Sequence, residues 1–348
     1  QEGVMSNLDT CGIEVSAKEL VVRLRRQEDL EPLRTFTNTP EGHMMILRYL
    51  RRAGRMVRVC MESTGLYGLD LALALSGQEG IEVMVANPRA VRHFAHALMQ
   101  RSKNDQIDAG VLEQFAVHMP FKPWQRPSVA TLALHALARR LRELVEMQTA
   151  EKNRQHAAGL SKAIPAVVRR DLARSLRAQE RAIERLTRQA RKLIAQDPQL
   201  AERFELLDSV PGIGETSAVQ LLGELGVLAP DLEARQWVAY AGLDPRQYTS
   251  GTSVHKKPRI SKAGNKHLRH ALFMPALVAV QHDPHLRAFY QHLLAQGKFK
   301  MQALVAVMRK LLHALHAMFK THQPYDGSKL FRLKSTPAQE VTHALVAS

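Results

Sequence analysis

The chain has 348 residues, 45% of them hydrophobic, and its 49 Lys and Arg outnumber its 33 Asp and Glu, leaving a net charge of +16. This composition excludes a disordered tail and an acidic chaperone, supplies apolar material for two domains and a connecting element, and makes a polyanion the first partner to consider. No apolar run approaches the roughly 20 residues that span a bilayer, so nucleic acid ranks ahead of a membrane surface and a soluble protein is expected.

Residues 1–4, ahead of Met5, are set aside. From Leu8 to about Pro120 short apolar or β-branched runs alternate with amphipathic stretches. The runs Cys11–Val15, Leu20–Leu24, Leu33–Thr37, Val57–Met61 and Val83–Ala86 read as strands, and His43–Ala53, Gly68–Leu75, Ala90–Leu98 and Asp105–Val117 read as helices. Three closely spaced strands suit an antiparallel meander, and the later strands, separated by helices, suit parallel crossovers. This order predicts an α/β RNase H-like domain over residues 8–122. The two cysteines, Cys11 and Cys60, form no CxxC pair, which argues against a zinc site and a disulfide framework and for a reducing cytosol.

Acids in strands are costly to bury unless paired or bound to a cation, which singles out Glu14 in the first strand and Glu62 after the fourth. A third group, Lys103-Asn104-Asp105-Gln106-Ile107-Asp108, places Asp105 and Asp108 three apart at a helix start. In an RNase H-like sheet the first and fourth strands are neighbours and the last helix can pack beside them, gathering all four acids. Hard oxygen ligands in that number suit Mg²⁺ or Mn²⁺, and a pair of such ions stabilises the attacking and leaving oxygens of phosphoryl transfer. Taken singly, Asp105 is equally an N-cap, Asp108 a first-turn acid and Glu14 an exposed edge residue.

Past Pro120, Pro123 and Pro127 the segment 128–200 is rich in Ala, Leu, Arg, Glu and Gln, with leucines at three- and four-residue spacing. It predicts two helices broken at Ile164–Pro165, a coiled-coil hairpin acting as a spacer and able to dimerise. Residues 206–324 predict a mainly α-helical domain with one Gly, Ser, Thr and Lys-rich loop between Asp244 and Asn265, and residues 325–348 predict a tail. Val210-Pro211-Gly212-Ile213-Gly214 precedes an apolar helix; Gly212 and Gly214 allow a tight hairpin whose amides can hold a nucleic-acid backbone, or a simple turn between helices. The pairs His93/His96 and His313/His316 lack an acid at ligand spacing and read as core or surface histidines. Between Pro245 and His282 there is no acid, while Arg246, Lys256, Lys257, Arg259, Lys262, Lys266 and Arg269 all fall there, a one-signed segment that expects nucleic-acid phosphate. Within this segment Tyr248-Thr249-Ser250-Gly251-Thr252 offers Ser250 as a nucleophile beside a permissive glycine; the same loop also reads as a phosphate contact without covalent chemistry.

Order and spacing of these motifs resemble the transposases of the insertion-sequence 110 family, including its 1111 branch. The resemblance rests on Gly12-Ile13-Glu14-Val15-Ser16, Met61-Glu62-Ser63-Thr64-Gly65, Asn87-Pro88, Lys103 through Ala109, Val210 through Gly214, and Ala241-Gly242-Leu243 through Ser250-Gly251 to Arg259 through Asn265. It implies a RuvC-like domain with a tetrad at Glu14, Glu62, Asp105 and Asp108, a coiled-coil spacer, and a transposase domain with Ser250 as nucleophile. The family usually has Asp at the first position, so Glu14 is one methylene longer, and is read as a tolerated variant.

The resemblance further implies a structured guide RNA, the bridge RNA, that pairs with donor and target DNA. It also implies dimers assembling into a tetramer, in which the RuvC-like domain of one protomer completes a site with Ser250 of another, and a nucleoid-associated protein of the prokaryotic cytoplasm. Four readings follow: an RNA-guided serine recombinase, a protein-only DNA invertase of the same family, a metal-dependent resolvase or nuclease using water, and a non-catalytic nucleic-acid-binding protein. The absence of a Walker A motif fits the first two, since a phosphoserine link conserves bond energy without ATP.

Overall fold

Strict alternation along β1 (Leu8–Val15) decides the architecture of the first half. Cys11, Ile13 and Val15 enter one apolar cluster with α1 (Pro40–Arg51) and α2 (Leu69–Leu75), while Thr10, Gly12 and Glu14 face the other way, as a two-residue pleat requires. A computed structural model describes residues 8–62, 65, 67–100, 102, 104–250 and 254–333, with backbone alone at 247–250 and 254–258. The chain divides after Arg126 into two compact units.

In the first unit β2 (Glu19–Arg26) pairs antiparallel with β1, and the short β3 (Asp29–Leu30) and β4 (Arg34–Thr37) pair antiparallel with β2. On the other side β5 (Met56–Glu62) runs parallel to β1, and β6 (Ile81–Ala86) parallel to β5, giving the order β3-β2-β1-β5-β6. This is the meander-then-crossover arrangement expected of an RNase H-like domain. The two-residue β3 had no hydrophobic signal, since both of its residues are exposed.

The opposite face of the sheet carries α3 (Pro88–Ala97) and α4 (Asp105–His118), whose Val91, Leu112 and Phe115 pack with Cys60 and Met84. Asn87 caps α3 with Pro88 in its first turn, so the Asn-Pro pair has a local conformational explanation. Asn104 caps α4 by accepting the Ile107 amide at 2.8 Å.

In the second unit α5 (Val129–Leu160) and α6 (Ala166–Gln196) pack on one another, with the break at residues 161–165. The base of this pair is continuous with the core that follows: Leu134, Ala138 and Leu141 of α5 and Ala190 and Ile194 of α6 join Leu221, Leu222, Leu272 and Leu311 in one cluster. No break in packing therefore marks a boundary near residue 200. The core is built by α7 (Pro198–Asp208), the almost wholly buried α8 (Glu215–Gly226), α9 (Ala234–Tyr240), α10 (Lys266–His282), α11 (Pro284–Ala295) and α12 (Lys300–Thr321).

Two expectations need correction. The segment read as a loop is a hairpin of antiparallel strands, β7 (Pro245–Ser250) and β8 (Val254–Ile260), with Tyr248 opposite Lys256 and Ser250 opposite Val254. Its few apolar residues and its prolines hid the strands. The expected tail begins too early: Tyr325 donates its hydroxyl to Asp283 at 2.9 Å and the Phe331 carbonyl lies 2.8 Å from His285 Nδ1, tying residues 325–333 to the α10–α11 corner. No helix among the described residues is long and apolar enough to cross a membrane.

Candidate active site

The pairing of Ile13 with Met61 leaves Glu14 and Glu62 next along two parallel neighbours, and the pleat turns both toward the face that α4 covers. How close α4 can come is set by Gly12. A Cβ there would stand 2.1 Å from the Ala109 carbonyl oxygen and 2.3 Å from the Glu113 amide, so the helix lies directly on the strand backbone. That approach brings Asp108, one residue before Ala109, level with Glu14.

Glu14, Glu62 and Asp108, all half-buried, line one cavity of about 700 Å³. Asp105, at the first helical position, is exposed and does not line it. Lys103 lies outside the described residues. The far wall is α3, which contributes Arg89, Arg92 and His96. The sequence reading does not single out Arg89 and Arg92 and takes His96 for a core or surface histidine, although their spacing after Pro88 places all three on one helix face. A cavity with carboxylates on one wall and guanidinium groups on the other can hold a phosphodiester between them. The negative charge of the site is felt locally: burial, and then the charge of Glu62, push the Cys60 thiol up to about 12.

Three hard oxygen donors on one cavity are right in kind for a divalent cation. Among the described residues, however, no group of three or more His, Cys, Asp or Glu is drawn together closely enough to hold one. The fit lies in donor chemistry and convergence, and not in a formed coordination shell.

Two other acids of this unit are buried for structural reasons. Glu113, 1% exposed, accepts from Arg25 Nε at 2.7 Å and Thr10 Oγ1 at 2.8 Å. Asp9 is held by Arg26 and Arg55, each at 3.0 Å. Sequence reading alone gave neither acid its arginine, because the partners lie on other elements.

In the second unit Ser250 ends β7, immediately before residues 251–253, which lie outside the description, as do the side chains of Ser250, Lys256 and Lys257. Arg246 and Arg259 face one another across the hairpin and both are exposed, as are Lys262 and Lys266. Arg269 differs from this group: its Nη1 donates to the Ala241 carbonyl at 2.8 Å and the Gly264 carbonyl at 3.3 Å, and burial lowers its pKa. It clamps the turn below the hairpin. Ser261 donates to Asp244 at 2.5 Å and Asn265 caps α10 while donating to Glu224 at 2.6 Å, so the Ser-Lys-Ala-Gly-Asn run is a structural joint between hairpin and helix.

Glu224 is the anchor of that joint. Burial opposes its charge, but hydrogen bonds from His135, Arg139 and Asn265 prevail and hold it at about 2. Gly212, with φ of 93°, packs against α10, where a Cβ would come within 2.8 Å of the Pro275 carbonyl; Gly214 is exposed at the start of α8. Close packing accounts for the first glycine and leaves the amide-bearing turn at the second.

Comparison with known proteins bears on both units. Residues 204–291 match the family model described as "Transposase IS116/IS110/IS902 family", and residues 11–165 match a DEDD, IS110-type model described as "Transposase". The chain is 31% identical to the pilin gene-inverting protein of Moraxella bovis over 297 residues, 84% of this chain and 90% of that protein, and equally so to the protein of that name from Moraxella lacunata. It is also 34% identical over 142 residues to an uncharacterised 43.6 kDa protein of insertion element IS110 from Streptomyces coelicolor, 40% of this chain and 35% of that protein.

Proposed function

Because the chain belongs to the IS116/IS110/IS902 transposase family of DNA-recombining enzymes, we propose that it cuts and rejoins DNA through a phosphoserine link formed by Ser250, assisted by the carboxylate cavity of the RNase H-like domain. The observation that carries this reading is the convergence of Glu14, Glu62 and Asp108, from three separate elements, on one cavity with cationic side chains opposite.

In this scheme Arg89 and Arg92 hold a phosphate against the acids. Glu14, Glu62 and Asp108 would hold a divalent ion, while Asp105 lies clear of their cavity. The ion, Mg²⁺ or Mn²⁺, supplies Lewis-acid stabilisation of charge on the phosphoryl oxygens. Ser250 Oγ forms a bond to phosphorus as one ester oxygen departs, and the hydroxyl proton ends on that departing oxygen. Attack of a second strand's hydroxyl on the phosphoserine reverses the exchange, so rejoining needs no ATP. The acid-free stretch around β7 and β8, with Arg246, Arg259, Lys262 and Lys266 exposed, offsets the charge that gathers on phosphorus. Donor and target DNA are the substrates, a structured bridge RNA selects them by pairing, and protomers combine as dimers and then a tetramer, the long helices acting as a coiled-coil spacer.

The decisive assay traps protein–DNA adducts on denaturing gels. Ser250→Ala is expected to abolish the adduct while DNA and RNA binding persist; a normal yield refutes the serine. A second reading, inversion without RNA, is favoured by the near full-length similarity to pilin gene-inverting proteins. Recombination of two inverted sites by RNA-free protein would select it.

A further inference from the structure

Helix α6 presents a charge pattern that the reaction above leaves unused. Arg170, Arg174, Arg177, Arg181, Arg185 and Arg188 recur at intervals of four, three, four, four and three residues, and every one is exposed. At 100° per residue they share a strip about 80° wide, extending about 27 Å along the helix. The opposite side of α6 is committed to the core: Leu176, Ala190 and Ile194 are buried, with Ile183, Leu186 and Leu193 packed beside them.

What distinguishes this strip from an ordinary solvated face is the lack of compensation. Among the described residues none of the six arginines is in an ion pair, and the helix's own acids, Asp171, Glu180 and Glu184, lie about 60–100° from the strip's centre line. On α5 every arginine is matched: Arg139 to Glu224, Arg140 to Glu143, Arg142 to Glu146 and Arg154 to Glu151. Two helices of one hairpin thus carry similar numbers of acids with opposite placement.

Self-association along the strip would bring rows of like charge together, which excludes this face as a dimer seam. Membrane insertion needs an apolar face, and that face is buried. We propose that the outer face of α6 is a docking rail for the phosphate backbone of duplex DNA. A single row of exposed guanidinium groups along a straight helix suits phosphate contacts, which fix the orientation and register of a duplex. Its length matches about eight base pairs at a rise of about 3.4 Å, a straight duplex such as flanks a recombination site. The inference draws on the family's action on DNA and is independent of the serine chemistry.

The test uses the full-length protein carrying Ser250→Ala, so that covalent capture cannot interfere, and measures duplex DNA binding by anisotropy across a salt series. The triple variant Arg177→Gln, Arg181→Gln, Arg185→Gln is expected to bind at least about tenfold more weakly near 0.1 M salt, with the slope of log K against log salt reduced by about 2–3. The matching triple Arg→Lys variant retains the slope, and Arg140→Gln, on the compensated helix, leaves it unchanged. Thermal melting of the Gln variant is expected to match the parent, because the replaced groups are exposed. Unchanged DNA affinity and slope in the triple Gln variant overturn the proposal, as does a loss confined to a structured RNA hairpin of equal length. Should the Gln variant melt early, a lost slope in the Lys variant overturns it and a retained slope supports it.

Discussion

The two compact units treat their charges in opposite ways. In the first, the buried acids away from the cavity are neutralised within the fold: Glu113 by Arg25 and Asp9 by Arg26 and Arg55, while Glu14, Glu62 and Asp108 converge on an open cavity. In the second, buried Glu224 is satisfied by Arg139, His135 and Asn265, whereas the six arginines of the α6 strip are exposed and, among the described residues, in no ion pair. Burial of a charge is thus no marker of chemistry in this protein. What separates the working groups from the structural ones is whether they open onto a cavity or a surface that a ligand can reach, or are enclosed among their partners in the fold.

The sharpest way to break that distinction is at α4, which carries both kinds of acid. Asp108→Asn keeps the shape and removes the charge; recombination measured by product yield is expected to fall about a hundredfold or more with the melting temperature unchanged. Glu113→Ala, five residues further on, is expected to do the reverse, lowering stability by about 3 kcal/mol in denaturant unfolding because Arg25 and Thr10 lose their acceptor. Equal effects of the two variants on stability would erase the contrast.

Gly12→Ala probes the contact that brings the working acid into place. The added methyl meets the α4 backbone, so α4 shifts away from β1; a loss of about 1–3 kcal/mol is expected together with loss of recombination out of proportion to the stability change. In the second unit the comparison is sharpened by pH. Glu224 is held at about 2, below its ordinary 4.5, so its contribution is complete above about pH 4.5 and is lost as pH falls toward 2. Glu224→Gln is expected to flatten the stability profile in that window. The smallest effect is expected for Glu14→Asp, which shortens the acid by one methylene at a cavity wide enough to accommodate either; activity within about tenfold of the parent, read as product yield, would confirm a tolerant position.

Much of the first unit is written in the sequence because its strands alternate and its helices are capped: the order of β1, β2, β4, β5 and β6 follows from short apolar runs, and Asn104 announces α4. The separation of Asp105 from Asp108 is not, since spacing places them on neighbouring positions of one face and only the packing of α4 shows that the first helical residue lies clear of the cavity. Gly12 belongs to a local sequence motif, yet its role is a contact with residues about a hundred positions away. The β7–β8 hairpin escaped because lysines and prolines carry no hydrophobic period. Arg269, counted among the nucleic-acid contacts, is engaged with carbonyls that only the folded turn brings to it.

The account depends on Ser250 and the carboxylate cavity acting on one phosphodiester. Mass spectrometry of the trapped protein–DNA adduct, formed with Mg²⁺ by the parent and by Asp108→Asn, tests this directly. The expected result is a nucleotide remnant on Ser250 in the parent and a loss of that species in Asp108→Asn. A remnant on another residue, or an undiminished Ser250 adduct in Asp108→Asn, would contradict it.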